Sequence, residues 1–247
     1  KVHKVLKLIL NQTIKVDRVI IFLGKDSFSE KNLPLKLKIF RDLFSVEYRF
    51  VEDIGPHTKY FYAIKENPEA IVITVDDDVR YPDDLIAELI ASYERHPKAV
   101  SARRGHRITL DTNNVIKKYT EWDYKFDKLI DTPSMQLFAT GVGGVLYPPH
   151  CLHVEVFNLE NLKRLSLKND DIWLKFMELL NNTPVVFTKP FITKHIKGSQ
   201  KVALNQENVR GGGNDQIVKN LVSHYNHFLG NDETLVDRLL KNQEITQ

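Results

Sequence analysis

Three consecutive aspartates, Asp76, Asp77 and Asp78, are the residues of this sequence best suited to chemistry. They follow a run of mostly β-branched, apolar residues at 70–75, which predicts a strand buried on both faces. Adjacent carboxylates repel one another, and a bound cation relieves that repulsion. Their hard oxygen atoms suit Mg²⁺ or Mn²⁺. The stretch therefore predicts a metal or phosphate site at the end of a strand.

Acidic residues in front of a helix can also serve simply as helix caps and as partners of the helix dipole. One acid would be enough for that role, and a cap does not require a buried strand before it. A calcium loop of the EF-hand type is excluded, because its sixth position would be Tyr81 where glycine is needed. The metal or phosphate site is the favoured explanation.

The elements around the aspartates follow from the flanking residues. Pro82 precedes an amphipathic pattern at 83–95, and proline is favoured in the first helical turn. The three acids therefore occupy a loop between a strand and a helix. Open α/β sheets bind their ligands at the carboxyl ends of strands, which is where this loop lies.

Helical and strand patterns alternate along the first half of the chain. Helices are predicted at 2–10, 35–44 and 58–67, and strands at 17–23, 46–51, 98–103 and 184–188. Further helical patterns at 215–228 and 232–240 close the chain. This alternation predicts an α/β fold with a mostly parallel, doubly wound sheet.

A second informative stretch, at 138–149, contains Gly141, Gly143 and Gly144. Glycines at this density let the backbone approach a ligand closely or adopt positive φ. The spacing matches neither a dinucleotide-binding motif nor a phosphate-binding P-loop, so by itself the stretch is a weak signal.

A third stretch begins a helix at 169–176. Asn169 or Asp170 can cap that helix, and capping with dipole stabilisation explains one of the two aspartates. The other, Asp170 or Asp171, could face a cleft as a general base, which requires a carboxylate at the end of a fixed element.

Two cationic candidates are less specific. His195 stands in a polar loop, where a lone histidine is more often structural or solvated than a metal ligand. Arg104 belongs to a basic segment at 103–107, for which a solvated turn and a phosphate contact are equally good explanations.

Composition excludes several classes of function. A net charge of +3 over 247 residues does not by itself indicate nucleic-acid binding. The single cysteine, Cys151, allows no intrachain disulfide, and no apolar run approaches the ~20 residues that span a bilayer. We therefore expect a cytoplasmic protein. Basic stretches at 1–15 and 189–201 could touch the inner face of the membrane, although a solvated surface is the simpler explanation.

In their order, three stretches resemble nucleotide-sugar glycosyltransferases of the GT-A fold. They are the strand that ends in residues 76–78, the glycine-rich stretch at 140–146 and the helix start at 170–173. The resemblance is closest to bacterial, inverting enzymes of the family-two-like kind, often found among surface-polysaccharide genes. It covers residues 1–200, which we expect to form the transferase domain, with 201–247 as a helical appendage packed on it.

The resemblance implies roles for the acids. Asp76, Asp77 and Asp78 match the DxD motif, whose carboxylates hold the metal that bridges the donor diphosphate. Asp171 matches the acid that deprotonates the acceptor hydroxyl, and Asp170 would orient that base or cap the helix.

It implies weaker expectations for five further residues. Gly143 and Gly144 lie where the family lines the donor and acceptor pocket. His195 matches a metal-binding histidine of some GT-A enzymes, and Lys59 and Arg104 lie where basic groups could contact the nucleotide.

The resemblance also has a gap at its start. The GT-A fold opens with a strand and loop that hold the base and ribose, whereas this chain opens with a helical pattern. Either another segment supplies these contacts or the sequence is a truncated form.

The implied function is a metal-dependent glycosyltransferase that uses Mn²⁺ or Mg²⁺. Its donor would be a UDP- or GDP-linked sugar and its acceptor a hydroxyl of a glycan or lipid-linked glycan. Two alternatives stay open: a two-metal phosphoryl-transfer enzyme, which needs a further acid from another strand end, and a sugar- or nucleotide-binding module without activity, which the missing strand favours.

Overall fold

Helices and short strands alternate along the chain, which confirms the α/β class. The structure, a computed structural model, describes residues 1–196, 212–229 and 233–241. Its helices are α1 (Val2–Leu10), α2 (Leu35–Phe44), α3 (Thr58–Glu66), α4 (Leu85–Arg95), α5 (Leu159–Ser166), α6 (Asp170–Leu180), α7 (Gly213–Asn226) and α8 (Leu235–Leu240). Its strands are β1 (Ile20–Gly24), β2 (Glu47–Val51), β3 (Val72–Thr74), β4 (Val100–Ala102), β5 (Gly105–Arg107), β6 (Leu137–Ala139), β7 (Val145–Tyr147) and β8 (Val185–Phe187). No helix in these parts of the chain is both long and apolar enough to cross a membrane.

The strands form separate sheets. β1 and β2 make a parallel pair, and β5 and β6 an antiparallel pair. A four-stranded sheet has the order β3-β7-β4-β8, in which β7 runs antiparallel to both of its neighbours and β4 runs parallel to β8. The predicted fold was a single, mostly parallel, doubly wound sheet. The described residues contain parallel pairing only in the β1–β2 pair and within the mixed four-stranded sheet, so the doubly wound sheet is not confirmed.

The main core lies between the four-stranded sheet and α6. Trp173, Phe176 and Met177 of α6 are at most 2% exposed and belong to the same cluster of side chains as β4, β7 and β8. Leu221 of α7 and Leu235 of α8 join that cluster. The C-terminal helices thus pack on the same core, while the expected domain boundary at 200–201 lies outside the described residues.

Two predicted boundaries around the aspartates need correction. α4 begins at Leu85, with Asp84 at its cap position, so Pro82 and Asp83 belong to the turn before the helix. The predicted strand at 70–75 is shorter, and Val72 and Ile73 are half-buried. The prediction that both faces of this strand are buried is wrong, because Val72 and Ile73 border a cavity and are not fully covered.

Candidate active site

The loop after β3 holds the three aspartates in a fixed conformation. The backbone N–H of Asp76 donates to the Tyr81 hydroxyl at 2.8 Å, which closes the turn. A second segment braces the loop: Ile196 N–H donates to the Asp78 carbonyl at 2.7 Å, and Arg80 N–H donates to the Lys194 carbonyl at 2.8 Å. The aspartates therefore lie at the carboxyl end of β3, as predicted.

A second acidic group lies at the start of α6. Asn169 is the cap, since its side-chain oxygen accepts from Ile172 N–H at 2.9 Å. The choice that the sequence left open between Asn169 and Asp170 is thereby decided. Asp170 and Asp171 occupy the first helical turn, where the helix dipole favours negative charge. Oδ1 of Asp171 accepts a hydrogen bond from Gly141 N–H at 2.9 Å.

Lys59, in the first turn of α3, joins the two acidic groups. Its Nζ lies 3.0 Å from Oδ1 of Asp76 and 2.8 Å from Oδ2 of Asp170. Its ammonium is thus engaged by protein carboxylates, and the suggestion that it contacts a nucleotide stays a prediction. Residues from three distant parts of the sequence meet here because the start of α3, the start of α6 and the loop after β3 lie next to one another.

The pKa values in this cluster reflect burial opposed by charge. Burial, reinforced by the negative charge of Asp170, raises the pKa of Asp171 to about 7, although Lys59 and the Gly141 N–H act against it. Burial acts to lower the pKa of Lys59, but the surrounding carboxylates outweigh it and hold that pKa well above the ordinary value. Burial and the charges of Asp78 and Asp76 raise the pKa of Asp77. The site therefore favours added positive charge.

Both acidic groups border one cavity of about 880 Å³. Asp76, Asp77, Asp78, Lys59, Asp170 and Asp171 all line it. Cavities of this size hold cofactor-sized molecules. Away from the acids, the cavity continues as an apolar groove between β1 and β3.

The residues that could hold a divalent cation are Asp78 and His195. Oδ2 of Asp78 lies 3.5 Å from Nδ1 of His195, because residues 194–196 run beside the aspartate loop. Within the described ranges, no three acidic, imidazole or thiol side chains converge on one metal position. Two protein ligands nevertheless fit Mg²⁺ or Mn²⁺, since such ions are commonly bound by one or two side chains together with substrate phosphates. Asp76 is the least available ligand, because Lys59 engages it.

Gly143 and Gly144 allow close packing. A Cβ on Gly143 would lie 2.9 Å from the backbone nitrogen of Arg104, and Gly144 has φ +81° beside the Leu85 side chain. Arg104 donates to Oγ1 of Thr140 at 2.7 Å and lies over the Tyr124 ring. The structure therefore places Arg104 next to the glycine-rich turn and outside the acid cluster.

Sequence reasoning missed the specific roles of two residues. The sequence shows Gly141 only as one glycine among three. Its N–H contact with Asp171 forms only in the folded chain, so no sequence pattern could have predicted it. From the sequence, Tyr81 is informative only as a residue that excludes a calcium loop. Its position shortly after the aspartates could have indicated a turn-closing hydroxyl.

The arrangement supplies a carboxylate that changes protonation state near neutral pH and a pair of ligands for a cation, on the wall of one cavity. No model of a known protein family matches this chain, and no curated protein sequence matches it significantly. The geometry of this site is therefore the basis on which a function is assigned.

Proposed function

We propose that the chain is a metal-dependent glycosyltransferase of the GT-A type, which moves a sugar from a nucleoside diphosphate to a hydroxyl acceptor. One observation carries the proposal: Lys59 joins the DxD-like aspartates to the acidic pair of α6 beside one cavity. We also propose that the β1–β2 pair and the four-stranded sheet are two parts of one doubly wound sheet.

The two acidic groups then have different tasks. Asp78 and His195, with Asp77 beside them, would hold Mn²⁺ or Mg²⁺. When bound, this ion supplies positive charge that stabilises the departing diphosphate. Asp76 keeps Lys59 in place between the two groups.

Asp171 is the proposed general base. With a pKa of about 7, a share of the Asp171 carboxylate is ionised at neutral pH, and this share is a stronger base than an ordinary carboxylate. The ionised form can take up the proton of the acceptor hydroxyl as that oxygen attacks the sugar. The Gly141 N–H fixes one of its carboxylate oxygens, and Asp170 with Lys59 fixes the helix turn that carries it. A single base opposite the leaving group is what an inverting displacement requires.

A thermal-shift series tests the binding half of the proposal. UDP, GDP and ADP are added to the protein with and without Mn²⁺. At least one of the first two is expected to raise Tm, and only with the metal, because a ligand that binds the native state stabilises it. Asp78→Asn should abolish this shift.

Asp83→Asn is the matched control, since Asp83 is an exposed neighbour in the turn after the aspartates. Equal shifts for Asp78→Asn and the parent protein would contradict the metal role. Equal shifts with and without Mn²⁺ would contradict the metal dependence.

The contacts of Lys59 also argue against the two-metal alternative. Carboxylates from two elements do meet here, as that alternative requires, but an ammonium occupies the position between Asp76 and Asp170. The transferase proposal accounts for that ammonium. Turnover of labelled UDP- and GDP-sugars with hydroxyl acceptors distinguishes it from a binding module without activity.

A further inference from the structure

α2 carries an outer row of three apolar side chains, Leu35, Ile39 and Leu43. They follow one another at intervals of four residues, so they line one side of the helix. Their exposed fractions are 73%, 44% and 71%, and the next residue, Phe44, is 52% exposed. Apolar side chains scattered singly over a surface need no explanation, whereas a contiguous row of this kind marks an interaction surface.

Another side of α2 holds the helix on the protein. Leu37 and Phe40 are buried in one cluster with Leu6 of α1 and Tyr48 of β2. The Tyr48 hydroxyl also donates to the Leu37 carbonyl at 3.0 Å, which fixes the rotation of the helix. The outer row therefore faces away from the core.

The outer row forms a ridge and not a pocket. Its residues line neither the large cavity of the candidate active site nor a smaller cavity of about 260 Å³ beside Arg104. Small molecules are bound in concave sites that enclose them. A ridge on an exposed helix instead suits a broad surface as its partner.

Positive charge is concentrated in the part of the chain that holds α2. Residues 1–45 contain ten Lys or Arg against four Asp or Glu, a net charge of +6. The remaining residues contain 25 against 28, a net charge of −3. Two acids of the first segment, Glu30 and Asp42, are engaged by Arg41 at 2.7 and 3.0 Å. The partner of this surface is therefore expected to be negatively charged.

Lys4, Lys7 and Lys36 form a basic cluster where α1 packs against α2. Burial lowers the pKa of His3 on α1, and the positive charges of these three lysines add to that effect. Lys36 comes directly after Leu35, so the cluster lies beside the outer row. All three lysines are exposed, and none has a carboxylate partner among the described residues.

We propose that α2 is a membrane-docking helix. The outer row would enter the interface of a bilayer that contains anionic lipids, and the basic cluster would contact the lipid headgroups. Apolar side chains are removed from water in this way, and the lysines gain partners of opposite charge. The inference depends on the surface of α2 and not on the proposed activity.

Charge favours a membrane over a second copy of the chain. A two-fold dimer through α2 would place two surfaces of net positive charge against each other, and like charges at an interface are costly. An anionic bilayer presents the opposite charge over a broad plane. The exposed ridge and the lysines beside it are thus satisfied by one partner.

Vesicle flotation of the full chain, in EDTA and without nucleotide, tests the proposal. One set of vesicles is phosphatidylcholine alone, and the other contains about 30% phosphatidylglycerol. The protein is expected to bind the anionic vesicles roughly tenfold or more tightly, and salt at about 0.5 M should remove that difference by screening the lysines. Equal binding to both sets would overturn the proposal. No binding to either would also overturn it and would leave an acidic protein as the partner.

Serine substitutions test the outer row. Leu35→Ser/Leu43→Ser should weaken binding to the anionic vesicles by roughly tenfold or more. The matched control is Val115→Ser/Val154→Ser, because these two apolar residues are 58% and 74% exposed at positions outside α2. The control should bind like the parent protein. Equal binding by the two double variants would overturn the role of α2.

Glutamine substitutions test which cations contact the bilayer. Lys4→Gln/Lys36→Gln should weaken binding by roughly tenfold. Lys189→Gln/Lys194→Gln removes two exposed cations from the other basic stretch and should have little effect. The reverse result would place the membrane contact on that stretch and would overturn the proposal.

Leu43→Trp reports insertion directly. The two native tryptophans, Trp122 and Trp173, are buried, so a blue shift of the emission on addition of anionic vesicles would come from the new indole. Val154→Trp should show no such shift. Vesicle-bound Leu43→Trp protein without a blue shift would show that α2 stays outside the bilayer.

Sedimentation velocity without lipid tests for a second copy. A dimer that is broken by Leu35→Ser/Leu43→Ser would overturn the proposal, because another copy would then cover the outer row. A monomer is the expected result. None of these measurements needs nucleotide or metal, so their failure is separate from a failure of the transferase proposal.

Discussion

Lys59 and Asp170 form an ion pair in which Nζ lies 2.8 Å from Oδ2, with the side chains 23% and 10% exposed. The pair links α3 to α6, and the same ammonium reaches Asp76 in the loop after β3. With Asp171 adjacent, one cation serves three carboxylates, so the site keeps an excess of negative charge. That excess helps to raise the pKa of Asp171 and makes the site receptive to a cation.

Replacement of Lys59 by methionine should make the Asp171 carboxyl group harder to deprotonate. Without the ammonium, the pKa of Asp171 should rise above its present value, because Lys59 acts to lower it. The alkaline shift of the pH–activity profile is the measurement. We also expect a loss of about 1–3 kcal/mol in the free energy of unfolding, below the cost of a broken fully buried pair because Lys59 is partly exposed. Lys65→Met, at the exposed end of the same helix, should change neither quantity appreciably.

Asp171→Asn should separate binding from catalysis. The amide cannot accept the acceptor proton, so turnover is expected to fall by about 10²–10⁴-fold while metal-dependent nucleotide binding is kept. In the parent protein, kcat/KM should rise with pH through about 7, where the carboxylate becomes ionised. Unchanged turnover in the variant would remove Asp171 as the base.

The same carboxylate predicts a pH dependence of stability. Its folded pKa is raised, so between its ordinary pKa near 4 and about 7 the native state binds more protons than the unfolded state. Stability should therefore fall as pH rises across this window. Urea denaturation from pH 4.5 to 8 measures this decline, and the difference between the parent and Asp171→Asn isolates the share that belongs to Asp171. A difference that does not vary with pH would contradict the raised pKa.

The acidic loop and the capped helix could be predicted from the sequence because their signals are local. A β-branched run followed by acids predicts a strand end, and Asn169 before Asp170 predicts a helix start. The Lys59 bridge could not be predicted, since it depends on three elements that meet only in the folded chain. The half-burial of Val72 and Ile73 was missed for a related reason: an apolar run indicates that a strand is suited to burial, whereas the neighbours that bury it come from elsewhere.

Gly141 and Gly143 offer a matched pair of substitutions. A Cβ on Gly141 would collide with Nζ of Lys59 and lie 3.1 Å from Oδ1 of Asp171. The end of a lysine side chain can move aside, so Gly141→Ala should fold but lose activity as Lys59 and Asp171 are displaced.

Gly143→Ala should instead affect stability more than activity. In Gly143→Ala the new Cβ meets the backbone of Arg104, which cannot move aside, so stability should fall by about 1–3 kcal/mol. Urea denaturation and turnover of both variants are the measurements. A Gly141→Ala protein with full activity would show that the position of Lys59 is not critical.

A buried ion pair away from the cavity gives a test of core energetics. Lys175 Nζ lies 3.3 Å from Glu178 Oε2, and both side chains are 2% exposed. Burial raises the pKa of Glu178 to about 7 and lowers that of Lys175. Lys175→Met would leave the carboxylate buried without its partner, at a cost of about 3–5 kcal/mol at pH 8.

That cost should shrink near pH 5, where Glu178 can be protonated. The double variant Lys175→Met/Glu178→Leu should recover most of the loss, because an apolar pair has no charge to desolvate. Lys163→Met removes an ion pair in which both side chains are nearly half exposed, with Glu52, and should change the free energy of unfolding by less than about 1 kcal/mol. Urea denaturation at both pH values measures all three effects. A single variant as stable as the parent at pH 8 would show that the buried carboxylate carries no charge there, since only an ionised group requires the lysine.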